Sequence, residues 1–254
     1  MADGLGQKTK GIMLHWGIYS VPAFNPVRKT KKGIYNGSEW YCQRLKNTFL
    51  YGNATKSYHT KKFGKRDYHA FLEDFEKATQ DWKPESWVEL FKKSGAEYVI
   101  ITSKHHDGVA LYPSKFGTYH TKRDYLGELC EACRKQGLGF GLYYSLMEWT
   151  PAYGNGKSAK KASEYIDKIM IPQIYELHDT YLPDFFWFDG DWGQTSEFWR
   201  MEEILRRLFS LNQGLCVNDR LGKNFQFPVK DCETKGDKTE REKEKEKEKE
   251  KEKE

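Results

Sequence analysis

The chain has 254 residues, enough for one large domain or two small ones. Hydrophobic residues make up 38% of it and charged residues 31%, but the charge is concentrated after Thr239, where nearly every residue is Lys, Arg or Glu. The net charge of +5 is a mild excess carried by scattered basic residues, whereas a nucleic-acid-binding module predicts a basic stripe with interleaved aromatics. Composition therefore argues against nucleic-acid binding. Aromatic residues at 15% suit a ligand-stacking surface or a well-packed core.

Metal binding and membrane insertion find little support in the sequence. Cys130 and Cys133 form a C-x-x-C inside a stretch typical of a helix interior, and no second pair completes a zinc site. No stretch approaches the roughly 18 consecutive apolar residues of a transmembrane helix, and the N-terminus has no signal-peptide core. We therefore expect no metal, no cofactor and no membrane span. Two glycosylation sequons begin at Asn36 and Asn53, and they matter only if the chain is secreted, so the compartment stays open.

Short apolar runs alternate with helical patterns along the chain. Strands are predicted at 11–17, 97–103, 138–145, 184–188 and 215–217, with a sixth near 229–232. Helices are predicted at 68–78, 84–93, 124–136, 163–178 and 197–210, after a long polar loop at 19–68.

The predicted strands are almost wholly apolar, which indicates a parallel sheet covered by helices. Strand–helix alternation with right-handed crossovers leads either to a barrel or to a doubly wound sheet. No G-x-G-x-x-G motif or P-loop follows a strand, which disfavours a nucleotide-binding sheet.

Polar residues cluster just beyond the ends of the predicted strands, and this pattern favours the barrel. The clusters are His15-Trp16, Lys104-His105-His106-Asp107, Tyr143-Tyr144-Ser145, Asp189 and Asn218-Asp219-Arg220. A (β/α)8 barrel builds its active site at the carboxyl ends of several strands. We therefore predict an α/β protein with a (β/α)8-like TIM barrel.

The stretch DFFWFDGDW ends in an acid at the close of a buried strand. Alternation along the strand places Trp187 and Asp189 on the same face. An indole beside a carboxylate can contact the apolar face of a sugar while the acid reaches the anomeric carbon, as in a glycosidase. A structural cap is the alternative for such an Asp. A glycosidase needs a second carboxylate, and the candidates are Glu39, Asp107, Asp191, Asp219 and Glu233.

The paired histidines His105 and His106 could suggest a metal, but neighbouring strand residues face opposite ways and the spacing fits no standard site. Hydrogen bonds to a polyol are the more economical interpretation, with His15 as a third partner. Arg220 suits either a substrate carboxylate or an ion pair that orients the site.

Six segments, in this order and spacing, resemble the α-L-fucosidases of glycoside hydrolase family 29. They are LHWGIYSVPAF, SEWY, EYVIITSKHHDGVALYPS, GLGFGLYYSLMEW, PDFFWFDGDW and VNDRLG. The resemblance covers about residues 11–231. It implies a (β/α)8-like catalytic barrel, usually followed by a β-sandwich. It also implies a retaining, exo-acting enzyme that releases α-linked L-fucose from oligosaccharides or glycoproteins through a covalent fucosyl-enzyme.

Site roles follow from the resemblance, position by position. Asp189 matches the nucleophile of W-x-D-G, and Glu233, in DCET, matches one of the places where family members carry the acid/base. In other members the acid/base lies further on, in sequence that this chain does not contain. The residues matching fucose-binding or site-orienting positions are His15, Glu39, Trp40, His105, His106, Tyr144, Trp187 and Arg220.

Five or six strands are visible where a closed barrel has eight. We therefore expect an incomplete barrel at 11–236, flanked by an N-terminal extension at 1–10 and a solvated Lys/Glu tail at 237–254. Two alternatives to an active enzyme remain. One is a catalytically impaired, fucose-binding remnant of the fold, and the other is a chain whose open sheet edges prevent stable folding.

Overall fold

The protein is described by a computed structural model that covers residues 8–26, 28–30, 33–35, 37–153 and 158–225. Nine strands occur within these residues: β1 (Gly11–Leu14), β2 (Arg28–Thr30), β3 (Gly33–Tyr35), β4 (Tyr98–Lys104), β5 (Val109–Ala110), β6 (Tyr119–His120), β7 (Gly139–Ser145), β8 (Phe185–Asp189) and β9 (Cys216–Val217). The predicted sixth strand near 229–232, the start of the proposed extension and the Lys/Glu tail lie outside the described residues.

The main sheet is built from five parallel strands in chain order. β1 pairs with β4, β4 with β7, β7 with β8, and β8 with β9. Each parallel neighbour follows along the chain after at least one helix, which is the connectivity of a (β/α) barrel. The short strands β5 and β6 extend the edge beside the carboxyl end of β4. The predicted α/β fold class, a TIM barrel of which five strands lie in the described residues, is thus confirmed.

Ten α-helices accompany the strands in the described residues: α1 (Tyr41–Lys46), α2 (Thr48–Tyr51), α3 (Ala54–Phe63), α4 (Phe71–Ala78), α5 (Pro84–Lys93), α6 (Tyr125–Lys135), α7 (Ala159–Tyr165), α8 (Ile171–Tyr181), α9 (Ser196–Trp199) and α10 (Met201–Leu211). Local signals explain several boundaries. Pro84 occupies the first turn of α5, where its missing N–H costs nothing. The Asp124 carboxylate caps α6 by accepting from the Gly127 N–H at 2.8 Å. None of the described helices combines the length and the apolar character needed to cross a bilayer.

The prediction of a polar loop at 19–68 was wrong. This region contains the β2–β3 hairpin and the helices α1 to α3. The fully buried positions of α3 are the polar residues Thr55 and His59, while its apolar residues Tyr58 and Phe63 are only partly buried against the core. The His59 ring is satisfied on both sides, by the Tyr41 hydroxyl at 2.9 Å and the Arg66 carbonyl at 2.8 Å. A helix whose most buried positions are polar leaves only a weak hydrophobic period in the sequence.

The helix predicted at 163–178 is longer in the structure. It begins at Ala159, ends at Tyr181 and contains one π-helical segment, Ile166–Met170. Pro172 lies two residues beyond the end of that segment and has no N–H to donate to the preceding turn. Such a widened turn is a common way for a helix to accommodate an interruption of its hydrogen bonding.

The two faces of the sheet bury different sets of side chains. On the outer face Phe140, Leu142, Tyr144, Phe186 and Phe188 join the large core beneath the helices. On the inner face a separate cluster forms from Ile100, Tyr143, Phe185 and Cys216, with Tyr98 and Trp187 packed against it. Strands buried on both faces explain the continuous apolar runs in the sequence.

The C-x-x-C pair lies inside α6, as predicted. Cys130 and Cys133 are buried free thiols, and burial raises their pKa to about 11 and about 12. Both therefore remain protonated thiols near neutral pH, which suits helix-packing residues.

Candidate active site

The carboxyl ends of the five parallel strands bring polar side chains to one rim of the sheet. His15 follows β1, His105 and His106 follow β4, Ser145 ends β7 and Asp189 ends β8. The register pairs Ser145 with Asp189 directly across β7 and β8. The rim is therefore the place where residues far apart in sequence meet.

Asp189 is the centre of this group. The Tyr143 hydroxyl donates to its Oδ2 at 2.6 Å, and Nη1 of Arg220 donates to its Oδ1 at 2.8 Å. The Nε2 atom of His106 lies 3.7 Å from Oδ2. The residue is only 7% exposed, so both oxygens are held in a fixed orientation at the base of the site.

The environment of Asp189 keeps its carboxylate ionised. Burial by itself would raise the pKa, but the hydrogen bonds from Tyr143 and the Gly190 backbone and the charge of Arg220 oppose it, and the pKa lies below its ordinary value. A charged carboxylate with an oriented lone pair is the state that a nucleophile requires.

His106 presents one defined nitrogen to the site. The Ser145 hydroxyl donates to the Met147 carbonyl, so its oxygen is left to accept from Nδ1–H of His106. This assigns the proton to Nδ1 and leaves the Nε2 lone pair facing Asp189. Burial lowers the pKa of His106 to about 4, so the ring is neutral near pH 7 and can accept a hydrogen bond from a hydroxyl group.

A hydroxyl group also fixes the orientation of His15. The Thr102 hydroxyl donates to the Leu14 carbonyl at 2.9 Å and therefore accepts from Nδ1–H of His15 at 3.2 Å. Its Nε2 is left as an acceptor. Burial of its ring against Tyr143 and His105 lowers its pKa, although the Glu39 and Asp189 charges oppose the shift and the residue as a whole stays exposed at the mouth.

His105 completes the histidine group. It is 2% exposed, stacks parallel to Tyr143 at 5.5 Å, and its Nδ1 finds no hydrogen-bond partner among the described residues. Burial lowers its pKa well below the ordinary value. A buried nitrogen without a partner is costly to keep, and a ligand hydroxyl group is one partner that would satisfy it.

Aromatic rings enclose the polar groups. The Trp40 ring lies 5.1 Å from Trp149 and 5.9 Å from His106. On the other side, the Arg220 guanidinium lies 6.0 Å from the Trp187 ring centroid. Apolar walls around hydrogen-bonding groups are the surface that a sugar ring needs, because a pyranose has both C–H faces and hydroxyl groups.

A buried ion pair between Lys104 and Glu148 lies next to the histidines. Nζ of Lys104, fully buried at the end of β4, lies 3.3 Å from Glu148 and donates to the Tyr165 hydroxyl at 2.6 Å. Tyr165 in turn donates to the Leu146 carbonyl at 2.8 Å. Nearby, the Trp149 N–H donates to the His106 carbonyl at 2.6 Å. These contacts hold the segment after β7 against the histidine loop.

The predicted site residues divide as follows. The structure brings together Asp189, Arg220, Trp187, His15, His105, His106 and Trp40. Glu39 acts on the group through its charge at His15. Glu233 lies outside the described residues, so its predicted role is still open.

Tyr144 is a correction, because the structure does not bring it into the site. Its hydroxyl donates to Gln173 at 2.9 Å on the outer face of β7, beneath the helices. The neighbouring Tyr143 faces inward and bonds Asp189 instead. Alternation along the strand could have chosen between the two, since the residue facing Asp189 must share the parity of Ser145, its register partner.

Asn218 is a residue that the sequence analysis did not assign. Its side-chain amide donates to the Phe188 carbonyl and accepts from the Phe188 N–H, both at 2.9 Å. The amide thus continues the sheet beyond β9 and fixes the start of the segment that carries Arg220. The pattern N-D-R alone does not reveal this role.

Among the described candidates for a second carboxylate, Asp107 faces away from the site. It accepts from the Tyr68 hydroxyl at 2.7 Å and from the Val109 N–H at 3.2 Å. Asp191 lies close enough to Asp189 for the two charges to interact. Burial raises the pKa of Asp191, and the charge of Asp189 adds to the shift.

Gly190 provides a test of how tightly the site is packed. At its φ of +75° a Cβ atom would lie 2.7 Å from Met147 Cγ, 2.9 Å from Ser145 Oγ and 3.2 Å from His106 Cε1. We expect Gly190→Ala to displace Met147 and Ser145. The His106 ring should shift with Ser145, to which it is hydrogen-bonded. Gly193→Ala is a matched control, with a φ of +82° and open space around the added atom. Urea unfolding should show a loss of about 1 kcal/mol for Gly193→Ala from backbone strain alone, and a larger loss for Gly190→Ala. Equal effects would contradict this packing.

The buried histidines predict a pH dependence of stability. The pKa of His106 is about 4 in the folded chain and near 6.5 when unfolded, so the unfolded chain binds more protons between these values. The free energy of unfolding should therefore fall as the pH drops from 6.5 to 4, by roughly 3 kcal/mol from this residue. Chemical unfolding at several pH values measures it. His106→Gln should have a shallower profile, and a profile parallel to the wild type would contradict the assignment.

The fold is that of a (β/α) barrel, and the carboxyl ends of its strands carry an ionised carboxylate, neutral histidines and tryptophan rings, a set of groups of the kind that glycosidases use. The sequence model of the family described as Alpha-L-fucosidase matches residues 6–253. The chain belongs to the alpha-L-fucosidase family.

Individual relatives agree with this family. The chain is 38% identical over 226 residues to the alpha-L-fucosidase of Dictyostelium discoideum, covering 84% of this chain and 47% of that protein. It is 33% identical to the tissue alpha-L-fucosidase of Bos taurus, covering 84% and 45%. The chain thus spans about half the length of the curated relatives that it matches.

Solved structures of the same kind superpose on the fold. An alpha-L-fucosynthase of Thermotoga maritima, in complex with alpha-L-Fuc-(1-2)-beta-L-Fuc-N3, gives a TM-score of 0.74 at 32% identity and covers 85% of this chain and 53% of that one. A Thermotoga maritima alpha-fucosidase in complex with a mechanism-based inhibitor gives 0.68 at 30% identity, covering 86% and 53%.

Proposed function

We propose that the protein hydrolyses α-linked L-fucose from the ends of fucosylated glycans, with retention of configuration and through a covalent intermediate on Asp189. The observation that carries the proposal is the state of this carboxylate. It is ionised, nearly buried and fixed by Tyr143 and Arg220 at the end of a barrel strand. Family membership supplies the substrate class.

In the first step a carboxylate oxygen of Asp189 attacks the anomeric carbon, and the bond from that carbon to the leaving oxygen breaks. The leaving oxygen takes a proton from the acid/base. In the second step water attacks the same carbon, the acid/base takes the water's proton, and the Asp189 carboxylate is released. Tyr143 and Arg220 hold Asp189 in the attacking orientation and stabilise its charge before the first step and after the second.

The sugar is held by the groups around Asp189. The free Nε2 atoms of His15 and His106 are acceptors for hydroxyl hydrogens, and His105 adds a further polar group. Glu39 is proposed as another hydroxyl partner, in keeping with its position beside His15. The rings of Trp40 and Trp187 provide apolar walls for the C–H face and the methyl group of fucose.

Glu233 remains our proposed acid/base. A retaining enzyme requires its second carboxyl group about 5–5.5 Å from the nucleophile. Asp191 is the described alternative, since a raised pKa is what a proton donor needs. The two can be separated by leaving-group dependence. Removal of the true acid should slow a fucoside with a poor leaving group far more than an aryl fucoside whose phenol leaves without protonation. Glu233→Gln and Asp191→Asn are the variants to compare.

A second candidate function is fucose binding without turnover. It is favoured by the groups proposed to bind the sugar, because the oriented His15 and His106 rings beside Trp40 can hold fucose without an acid/base. Release of 4-nitrophenol from 4-nitrophenyl α-L-fucoside, together with calorimetric titration of L-fucose, tests both. Turnover supports the hydrolase. Binding without turnover supports the second candidate, and the absence of both from a folded protein would reject the proposed function altogether.

A further inference from the structure

An exposed tryptophan stands at the mouth of the site. Trp192 is 47% exposed, which is unusual for so large an apolar ring. Its centroid lies 5.0 Å from the His106 ring, and the Nε2 of that histidine is 3.7 Å from Asp189. The exposed indole thus contacts His106, which in turn lies beside the proposed nucleophile.

The orientation of Trp192 is fixed by its neighbours. Its ring stacks on Trp40 at 5.8 Å, with an angle of 16° between the planes. The turn beneath it is closed by the Gln194 N–H, which donates to the Asp191 carbonyl, and the Trp199 indole N–H donates to the same carbonyl at 3.3 Å. A ring that is held this way and still open to solvent on much of its surface is a prepared contact surface rather than a loose side chain.

The position of Trp192 relative to solvent indicates which part of a substrate it meets. The groups proposed to hold fucose are mostly buried: His105 and His106 are 2% and 1% exposed, and Asp189 is 7% exposed. In an exo-acting site the terminal sugar enters deepest, and the remainder of the glycan points outward. An indole that is nearly half exposed beside such a site faces that remainder.

We propose that Trp192 forms the binding platform for the sugar ring linked to fucose, by stacking against its C–H face. The inference rests on the proposed function and deepens it. The preferred substrate class is then a fucosyl group joined to a second pyranose, in preference to a fucoside of a small acyclic alcohol. The Trp40–Trp192 stack makes the platform rigid, so little conformational entropy is lost when the second ring binds.

The test compares two ligands that resist hydrolysis. One is methyl α-L-thiofucoside, and the other is a thio-linked disaccharide of α-L-fucose and N-acetylglucosamine. Calorimetric titration of the full chain gives both dissociation constants. We expect Trp192→Ala to weaken disaccharide binding about tenfold, a common result of truncating a contact tryptophan. Binding of the methyl thiofucoside should stay within about twofold, and Trp192→Phe should restore most of the disaccharide affinity because it keeps an aromatic face.

Leu211→Ala is the control for a general surface effect, because Leu211 is also exposed, at 59%, but ends α10 on the helical layer. It should change neither constant. Equal weakening of both ligands by Trp192→Ala would overturn the proposal, since it would place Trp192 in the fucose pocket itself. Unchanged binding of both would also overturn it. Failure of the wild type to bind the methyl thiofucoside would instead reject the proposed function on which this inference rests.

Discussion

Replacing Asp189 by Ala should abolish measurable release of 4-nitrophenol from 4-nitrophenyl α-L-fucoside. Loss of a residue that reacts directly with the substrate typically lowers kcat by about 10⁴-fold to 10⁶-fold. The Ala variant offers no oxygen to attack the anomeric carbon. It also leaves Tyr143 and Arg220 without their hydrogen-bond acceptor. Steady-state kinetics of both proteins measures the loss.

Two controls separate chemistry from folding. Asp81→Asn removes an exposed carboxylate in the turn between α4 and α5 and should leave turnover unchanged. Added azide should partly restore the Ala variant, because the small anion can occupy the vacated space and attack in place of the carboxylate. An Asp189→Ala protein that retains more than about a hundredth of the wild-type rate would rule out direct attack by this residue.

Replacing Lys104 by Met should cause the largest loss of stability. The substitution leaves Glu148 as a charge in a nearly dry environment, since its side chain is only 5% exposed. Removing one partner of a buried ion pair lowers the free energy of unfolding by about 3–5 kcal/mol. Tyr165 also loses the donor that holds its hydroxyl at 2.6 Å. Urea unfolding followed by fluorescence measures the change.

The double variant Lys104→Met with Glu148→Gln is the matched control. It removes both charges, so it should recover part of the stability that Lys104→Met alone loses. The four proteins form a double-mutant cycle, and a coupling energy near zero would show that the two side chains act independently. Lys135→Met, which breaks an exposed pair with Glu131, should change stability by less than about 1 kcal/mol.

The barrel and most of the rim were predictable because they depend on local signals. A β-branched run identifies β4 and an apolar, aromatic-rich run identifies β7, while Pro84 marks the start of α5 and Asp124 caps α6. Parallel strands place their carboxyl ends together, so polar residues at those ends must meet. The positions of Asp189 and the histidines at the rim therefore follow from the amino-acid sequence alone.

Other parts depend on contacts that no local pattern encodes. The most buried positions of the helix α3 are the polar residues His59 and Thr55, so periodicity missed it. The pairing of Lys104 with Glu148 joins positions more than forty residues apart. The exchange of Tyr144 for Tyr143 is a one-residue error on a strand, which is enough to turn a side chain to the opposite face.

Labelling by a fluorinated fucosyl fluoride shows directly whether Asp189 attacks the anomeric carbon. A 2-deoxy-2-fluoro-L-fucosyl fluoride slows both chemical steps, yet its fluoride departs without a proton, so formation of the adduct does not depend on Glu233 or any other acid. Digestion and mass spectrometry then locate the sugar. We expect one fluorofucosyl adduct on the peptide that contains Asp189, absent from Asp189→Ala. A protein that binds L-fucose but forms no adduct, or forms it on a different carboxylate, would show that Asp189 is not the nucleophile.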